Sequence, residues 1–290
     1  MNGILLIDKP MGWTSSDVVA KLRGVLHEKR IGHSGTLDPM ATGLLVLFVG
    51  RATRAVEFAE SHDKRYLARL RLGLATDTQD TTGTPVGGTP RPVSREELEA
   101  ALSRFRGEIE QIPPMYSAIK VKGRKLYEIA RRCGEVERRP RRVCIRSLSL
   151  VGEEEGGDFL FDITCSKGTY VRTLCHDVGT VLGCGGCMSA LRRLRAGDFR
   201  LEDAHTLASV IEAAEQGRAE ELLLPVDSLF AACPKLTAGA AGERKIRCGA
   251  SLPAKTPPGE YRLYGESGEF LALVRVRDGE MTTLKSFFEV

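Results

Sequence analysis

Continuous and alternating runs of apolar residues predict a series of short strands along most of the chain. A continuous run such as LLVLFV is typical of a buried strand, and strict alternation is typical of a strand with one face in solvent. The predicted strands are residues 3–7, 44–49, 66–72, 143–151 and 158–165. Within residues 66–72, Tyr66 shares the apolar face, whereas Arg69 and Arg71 lie on the other face. This alternation directs Tyr66 toward the core or toward a pocket.

Small polar residues predict where helices begin, because their side chains can accept hydrogen bonds from the first unpaired backbone amides. Ser94 and Glu97 have the spacing of a reciprocal capping pair, which predicts a helix over about residues 95–106. Helices are also expected after Thr14, Thr169 and Thr206. The helix after Thr169 has an apolar face made of Val171, Leu174, Val178 and Leu182. The irregular alternation of strands and helices favours an α+β fold over a doubly wound sheet.

The last part of the chain has a different pattern. A short helical stretch is followed by three alternating strands near residues 261–265, 269–276 and 280–287. The preceding residues, 227–234, are interpreted as a hinge. We therefore expect a large domain over residues 1–228 and a small all-β domain over residues 235–290.

A glycine-punctuated loop places one carboxylate in an unusual setting. Residues 32–45 read GHSGTLDPMATGLL, and Pro39 restricts Asp38 to extended backbone. A carboxylate on a tight loop against a buried strand is one way to aim a catalytic group. Aspartates in loops more commonly bond to the backbone of their own turn. The local sequence therefore allows both a catalytic and a purely structural role for Asp38.

The basic residues are concentrated in one segment. The formal net charge is only +4, yet residues 120–146 hold eleven Lys or Arg and three Glu, so this window carries +8 and the remainder −4. A solvated surface is the usual meaning of a charge run. The contrast with the rest of the chain favours phosphate contacts, and we expect an RNA-contacting segment over about residues 107–146.

The cysteines raise a metal or redox alternative. Eight cysteines are too sparse for a disulfide scaffold and are expected to be reduced thiols. Cys184 and Cys187 have CxxC spacing, with Cys175 and His176 upstream. A structural zinc site needs four convergent ligands, and the sequence has no second CxxC pair. We therefore expect no metal.

The N-terminal sequence predicts neither a membrane anchor nor a signal peptide. No early apolar window is long enough to span a bilayer, and residues 3–7 are followed at once by Asp8 and Lys9. The chain also lacks a P-loop and a dinucleotide-binding fingerprint. We expect a cytoplasmic protein without a membrane partner.

Five segments, in order, resemble the TruB family, the bacterial tRNA pseudouridine-55 synthases. They are residues 8–19 (DKPMGWTSSDVV), 32–45, 64–80 (KRYLARLRLGLATDTQD), 113–131 (PPMYSAIKVKGRKLYEIAR) and 165–179 (CSKGTYVRTLCHDVG). The resemblance implies a catalytic domain with a mixed, largely antiparallel sheet and flanking helices. By its position and number of strands, the small C-terminal domain resembles a PUA domain, an RNA-binding pseudobarrel.

The same resemblance implies roles for three catalytic residues. Asp38 matches the essential catalytic acid of the family, and Arg172 matches the arginine that pairs with it and keeps it ionised. Tyr66 matches the tyrosine that stacks on the extruded uracil and assists removal of the proton from carbon 5. Without the resemblance, Arg172 would be read as an exposed residue in the first turn of a helix, and Tyr66 as a core residue.

Three further positions match residues that bind the substrate. Tyr170 and Leu191 correspond to residues that line the uracil pocket. His33 corresponds to the histidine that enters the T-loop and takes the place of the departing base. Taken alone, Leu191 in LRRLR would be read as a helix core residue and His33 as a loop histidine.

The resemblance implies isomerisation of uridine 55 in the T-loop of tRNA to pseudouridine by base flipping and cleavage of the glycosidic bond. No group is oxidised or imported, so no cofactor is expected. The expected partner is the T-arm stem-loop of tRNA, with no obligate protein partner, and we expect a monomer. The alternatives are a synthase for another RNA, including guide-dependent relatives, an RNA-binding chaperone, and a zinc or thiol redox protein.

Overall fold

The chain folds into two compact units, seen in a computed structural model that describes residues 1–117, 119–121, 123–130, 134, 136–154 and 156–289. The first unit consists of Met1–Pro39, Leu44–Glu60 and Asp198–Val290, and the second of Met40–Gly43 and Ser61–Gly197. Among the described residues, no helix combines the length and the apolar character needed to cross a membrane.

Three of the four capping residues predicted from the sequence are N-caps of helices. The α-helices of the described residues are α1 (Ser15–Val25), α2 (Val56–Glu60), α3 (Arg95–Ser103), α4 (Leu126–Ala130), α5 (Val171–Val181), α6 (Leu207–Glu215) and α7 (Ala240–Arg247). Thr14, Ser94 and Thr206 are the N-caps of α1, α3 and α6, as predicted. The Ser94 and Glu97 side chains form the predicted reciprocal pair.

Two helix boundaries differ from the prediction. The N-cap of α5 is Tyr170, whereas the Thr169 hydroxyl donates to the carbonyl oxygen of Ser166 at 2.9 Å. The predicted capping role of Thr169 is therefore wrong. Helix α3 ends at Ser103 because the following amides bond to the carbonyl three residues back, and Gly107 then begins a strand with φ of +87°.

All five strands predicted before residue 200 are present. The strands are β1 (Gly3–Lys9), β2 (Ile31–Ser34), β3 (Thr42–Val49), β4 (Lys64–Leu72), β5 (Ala75–Thr76), β6 (Pro85–Gly87), β7 (Gly107–Gln111), β8 (Lys120–Val121), β9 (Arg124–Lys125), β10 (Arg141–Glu153), β11 (Phe159–Cys165), β12 (Gly186–Ala196), β13 (Phe199–Arg200), β14 (His205–Thr206), β15 (Lys235–Thr237), β16 (Leu252–Pro253), β17 (Gly259–Tyr264), β18 (Phe270–Arg277) and β19 (Glu280–Ser286). Leu191 lies on β12, so the helix that its local sequence suggests is wrong. Leu191 and Leu194 imitate the helical period, and two irregularities in the pairing of β12 with β4 disturb the strand alternation.

The first unit has a mixed sheet with an apolar core. Strand β1 lies between β14 and β3. It pairs in parallel with β14, whereas β2 pairs antiparallel with β3. Every residue of β3 from Leu44 to Val49 is completely buried, which explains the continuous apolar run in the sequence.

The second unit has an antiparallel sheet in the order β12-β4-β11-β10-β7. Ala68 and Leu70 are buried on one face of β4, and Arg69 and Arg71 are exposed on the other, as predicted. The exposed arginines of β4 are paired with acids: Arg65 with Asp162, Arg69 with Glu154 and Arg71 with Asp158. The predicted α+β class with a largely antiparallel sheet is confirmed.

The C-terminal residues form a second sheet with its own core. Its order is β15-β17-β18-β19-β16, and β17, β18 and β19 are the predicted strands. The core residues are Ala238, Ile246, Tyr261, Leu263, Leu271, Ala272, Val274, Val276, Met281 and Phe288. The predicted hinge overlaps a 3-10 helix, Val226–Phe230, and the buried Phe230 ring lies edge-on to Phe58 with centroids 5.3 Å apart.

Asp158 holds the polar face of the second unit together. Arg71 Nε donates to its Oδ1 at 2.9 Å, and the Ser189 hydroxyl donates to its Oδ2. Burial opposes the charged form, but the hydrogen bonds from Arg71 and Ser189 outweigh it, so the pKa of Asp158 is lowered.

Asp158→Asn is expected to destabilise the protein by about 1–2 kcal/mol at neutral pH, because Arg71 loses a charged partner but stays half-exposed. The folded-state pKa lies below the unfolded value of about 3.9, so this stabilisation is present above about pH 4 and lost as pH falls through the folded-state pKa. Urea unfolding from pH 7 to pH 3 measures it, with the exposed Asp278→Asn as control. A difference from wild type that does not shrink at acid pH would contradict the role of the Asp158 charge.

Candidate active site

The loop that carries Asp38 is fixed through its backbone on both sides of the carboxylate. The Ser15 hydroxyl accepts a hydrogen bond from Leu37 N at 2.9 Å and donates to Leu37 O at 3.3 Å. Gly12 N donates to Pro39 O at 2.8 Å. Ser15 and Leu37 are buried, and Asp38 is half-buried. Both neighbours of Asp38 are therefore held by residues of the DKPMGWTSSDVV segment.

Lys9 adds a buried positive charge beneath this loop. Its Nζ donates to the carbonyl oxygens of Trp13 at 2.6 Å, Pro10 at 2.9 Å and Pro39 at 3.4 Å. A completely buried ammonium requires such acceptors, because burying an unpartnered charge is strongly unfavourable. Lys9 is not among the residues predicted from the sequence, although it lies in a segment that resembles the family.

The strand register brings Tyr66 and Leu191 to one face of the antiparallel sheet. Tyr66 lies opposite Arg193, and Ala68 lies opposite Leu191, across the β4–β12 pair. Opposite residues share a face, as do residues two apart on one strand, so Tyr66 and Leu191 are diagonal neighbours. Tyr66 is half-buried and Leu191 is buried.

The last glycine of the loop motif, Gly43, is required by its backbone conformation and by its close approach to β12. Its φ is +96°, and a Cβ there would lie 2.4 Å from the carbonyl oxygen of Arg193. Only glycine accommodates both the backbone conformation and this approach to β12. Arg193 itself is buried on the face that carries Tyr66, and the sequence analysis did not single it out.

Arg172 is buried, so the exposed position suggested by local sequence alone is wrong. Its guanidinium donates to Thr78 O at 3.0 Å and to Tyr116 O at 2.9 Å. It also lies 3.7 Å from Oδ2 of Asp80, which is equally buried. A cation in the first turn of a helix opposes the helix dipole. Asp80 supplies an anionic partner that offsets this cost.

Asp80, which is not among the residues predicted from the sequence, belongs to a turn with several hydrogen bonds. Its Oδ1 accepts hydrogen bonds from the Thr78 hydroxyl at 2.8 Å and from Thr82 N at 3.0 Å. Gln79, which lies between Thr78 and Asp80 in sequence, has φ of +64°. The Thr173 hydroxyl donates a hydrogen bond to Gln79 Oε1 at 2.8 Å. A left-handed backbone at a non-glycine residue persists where surrounding contacts enforce it. This turn therefore presents the Thr78 carbonyl and Asp80 to Arg172.

The remaining predicted residues are distributed between the two units. Tyr170 is half-buried at the N-cap of α5, and His33 is half-buried on β2, not in a loop as its local sequence suggests. The first unit holds His33 and Asp38, and the second holds Tyr66, Tyr170, Arg172 and Leu191. The pairing of Asp38 with Arg172 stays a prediction.

A cleft of about 480 Å³ opens in the second unit beside the residues that hold Arg172. Its walls include Gln79, Tyr116, Arg138 and His176. The volume lies in the range of small-molecule and cofactor sites, and the walls combine an aromatic ring with hydrogen-bonding groups. The cleft can therefore accommodate a group of nucleotide size.

Two thiols of the cysteine cluster, Cys175 and Cys187, are unreactive. Burial raises the pKa of Cys187 to about 11 and the pKa of Cys175 well above its usual range. Thiols with such pKa values stay protonated at neutral pH and are poor nucleophiles. Across the part of the chain that the structure describes, no three His, Cys, Asp or Glu side chains converge to hold a metal ion.

The predicted basic segment is partly neutralised. Four of its charged residues, Lys122, Arg131, Arg132 and Glu135, lie outside the described residues. Among the described residues of the segment, Arg142 lies 3.7 Å from Glu110, and Arg146 lies 3.2 Å from Asp63. Arg139 and Arg141 are exposed, and neither forms an ion pair with another described residue.

Profiles of known families match most of the chain. The profile described as TruB family pseudouridylate synthase (N terminal domain) matches residues 23–171. The profile of the tRNA pseudouridylate synthase B C-terminal domain matches residues 172–231.

Curated bacterial proteins are similar over nearly the whole length. The tRNA pseudouridine synthase B of Ralstonia nicotianae is 43% identical over 275 residues, which cover 93% of this chain and 87% of that protein. The protein of the same name from Geobacillus kaustophilus is 46% identical, covering 87% of this chain and 91% of that protein. The one from Clostridium kluyveri is 40% identical, covering 99% and 100% respectively.

Solved structures share the fold. A chain of a Cbf5-Nop10-Gar1 complex is similar with a TM-score of 0.75 and 27% identity, covering 99% of this chain and 85% of that chain. A chain of an H/ACA RNP bound to a substrate RNA is similar with a TM-score of 0.74 and 25% identity, over the same shares. The two profile matches cover well over half of the chain. The chain therefore belongs to the TruB family of pseudouridylate synthases and is an isomerase.

Proposed function

We propose that this synthase converts uridine 55 in the T-loop of tRNA to pseudouridine, with Asp38 as the essential catalytic acid. The observation that carries the proposal is the setting of Asp38, a half-buried carboxylate in a loop fixed by Ser15, Gly12 and Lys9. A reactive group held in one position avoids the entropic cost of being positioned during the reaction.

The chemistry requires one well-placed carboxylate. The bond between the base nitrogen and the sugar breaks, the base turns, and carbon 5 bonds to the sugar. Carbon 5 loses a proton and the former glycosidic nitrogen gains one, so the reaction is balanced without an oxidant, a cofactor or a metal. Departure of the base leaves positive charge on the sugar, which a carboxylate stabilises or attacks, as in glycoside hydrolysis.

The second unit supplies a surface for the extruded base. The target uridine lies inside folded RNA, so the enzyme must flip it out of the stack. Tyr66 and Leu191, diagonal neighbours on one face of the sheet, offer aromatic and apolar surface to the uracil ring. Tyr170 adds a further wall of this pocket. His33 enters the T-loop in place of the base.

Arg172 and Asp80 control the charge at the reaction centre. Arg172 keeps Asp38 ionised during the reaction, because an adjacent guanidinium favours the charged form of a carboxyl group. Arg172 is itself held by the Thr78 and Tyr116 carbonyls and by Asp80. Asp80 therefore acts through Arg172 and not on the substrate.

Similarity to proteins named tRNA pseudouridine synthase B supports tRNA as the substrate. Three of these are 40–46% identical, whereas the chains of the Cbf5 and H/ACA complexes are 25–27% identical. This contrast favours direct recognition of the T-arm over a guide-dependent mechanism with protein partners. The exposed Arg139 and Arg141 are suited to phosphate contacts.

The proposed enzyme has two domains and acts as a monomer in the cytoplasm, without a cofactor. Residues 1–228 form the catalytic domain and residues 235–290 a PUA-like domain that contributes to RNA binding. The separate core of the C-terminal sheet supports this division. The Phe230 ring contacts Phe270 and Phe287, with centroid distances of 6.1 Å and 5.9 Å, so truncation near residue 234 would remove these contacts and disturb the stability of the remaining protein.

Asp38→Asn is expected to lower the rate of pseudouridine formation on an unmodified T-arm stem-loop by on the order of a thousandfold. The affinity for the RNA should change by less than about threefold, because a single carboxylate makes few phosphate contacts. Single-turnover assays and filter binding without added cofactor measure both quantities. The exposed Asp198→Asn is the control for loss of one negative charge, and comparable activity in the Asp38 variant would refute the assignment.

Asp80→Asn should slow single turnover by about 10- to 100-fold, because Arg172 loses its charged partner and its geometry relaxes. RNA affinity should stay within about threefold of wild type. Asp162→Asn removes a carboxylate that pairs with exposed Arg65 and serves as the matched control. Equal rates for the Asp80 and Asp162 variants would exclude the role given to Asp80.

Substituting Ala for both Arg139 and Arg141 should lower the slope of log Kd against log salt concentration by roughly one to two. Each lost phosphate contact lowers this slope by about 0.7 to 0.9. The matched control replaces Arg275 and Arg277 of the C-terminal sheet, where Arg275 is paired with Glu260. Binding of the T-arm from low to moderate salt decides the matter. A larger loss of slope in the control pair would place the phosphate contacts in the C-terminal domain.

A further inference from the structure

Gln111 makes an unusual pair of contacts with the start of the helix that carries Arg172. Its Oε1 accepts a hydrogen bond from Tyr170 N at 3.0 Å, and its Nε2 donates to Tyr170 O at 3.2 Å. One side-chain amide thus binds both backbone groups of one residue, as a neighbouring strand would. Gln111 is buried, with 2% of its surface exposed.

These contacts act at the N-cap of α5. Tyr170 occupies the N-cap, and its own side chain makes no capping hydrogen bond. The first backbone amides of a helix have no acceptor within the helix and need partners, because a buried unpaired amide is destabilising. Gln111, 59 residues away in sequence, supplies the partner of Tyr170 N and adds a second donor to Tyr170 O, which also accepts from Leu174 N at 3.1 Å.

Gln111 is also the last residue of β7, nine residues before the basic segment, 120–146. Five residues later, Tyr116 O accepts a hydrogen bond from Arg172. The residues that lead into the basic segment are therefore bound to α5 at two points. Gln111 binds Tyr170, and Tyr116 binds Arg172. Pro113 and Pro114 lie between the two attachment points and restrict the backbone there.

We propose that Gln111 is a positioning residue of this synthase, which sets Tyr170 and the first turn of α5 and fastens the basic segment to them. The inference rests on the roles proposed above for Tyr170 and Arg172. Gln111 contacts the backbone of Tyr170 and not the substrate. Its loss should therefore reduce the rate of the chemical step with little effect on RNA affinity.

The role requires a side chain that donates and accepts at once. An ionised carboxylate at this position accepts from Tyr170 N but turns a second oxygen toward Tyr170 O, where like partial charges repel. A methionine of similar length fills the space and makes neither bond. The two substitutions therefore separate hydrogen bonding from packing.

The test measures single-turnover rate and Kd for the T-arm stem-loop in two variants. Gln111→Glu should slow the reaction by about 30- to 100-fold and Gln111→Met by about 10-fold, with both Kd values within about threefold of wild type. Circular dichroism and the thermal midpoint monitor folding. A wild-type rate in either variant, or a rate loss matched by an equal loss of affinity, would overturn the proposal.

Two controls make the result specific. Val143→Ala removes buried apolar volume from the β7–β10 pair without touching Tyr170, and should keep its rate within about twofold of wild type while lowering the thermal midpoint. If it slows the reaction as much as Gln111→Met, the effect is general destabilisation and the inference fails. Asp38→Asn distinguishes the two proposals, because full activity in that variant refutes the proposed site whatever the Gln111 variants do.

Discussion

Burial of the Arg172 guanidinium is the constraint on which the organisation of the second unit depends. A buried cation without partners is strongly destabilising, and this one is met by the carbonyls of Thr78 and Tyr116 and by the Asp80 carboxylate. The two carbonyls come from positions 94 and 56 residues away in sequence. The Arg172 side chain thus binds the Thr78 turn and the residues around Tyr116, which precede the basic segment, to the start of α5.

The Asp38 loop in the first unit is held by the same kind of interaction. Lys9 is completely buried and directs its ammonium at backbone carbonyls, and Ser15 bonds to both backbone groups of Leu37. The loop position therefore does not rest on the Asp38 carboxylate alone. The proposed catalytic acid therefore lies on a loop whose backbone is fixed on both sides of it.

Local sequence patterns were sufficient for most elements, whereas the role proposed for Asp38 depends on the resemblance to the TruB family. Alternation of apolar and polar residues predicted β4, and the Ser94–Glu97 capping pair predicted α3, because both depend on neighbours within a few residues. The pattern failed for β12, where leucines three apart imitate a helix. It also missed Lys9, Asp80 and Gln111. Their partners are backbone groups or charges that folding brings from other segments, and no local pattern reports such contacts.

Mapping the modified position in whole tRNA tests the central claim most directly. Unmodified tRNA transcripts would be incubated with the purified enzyme without cofactor or guide RNA, and pseudouridine located by carbodiimide adducts that stop reverse transcription. The account predicts a single new stop, immediately 3′ of uridine 55 of the T-loop. No new stop, or stops at other uridines with position 55 unmodified, would contradict it.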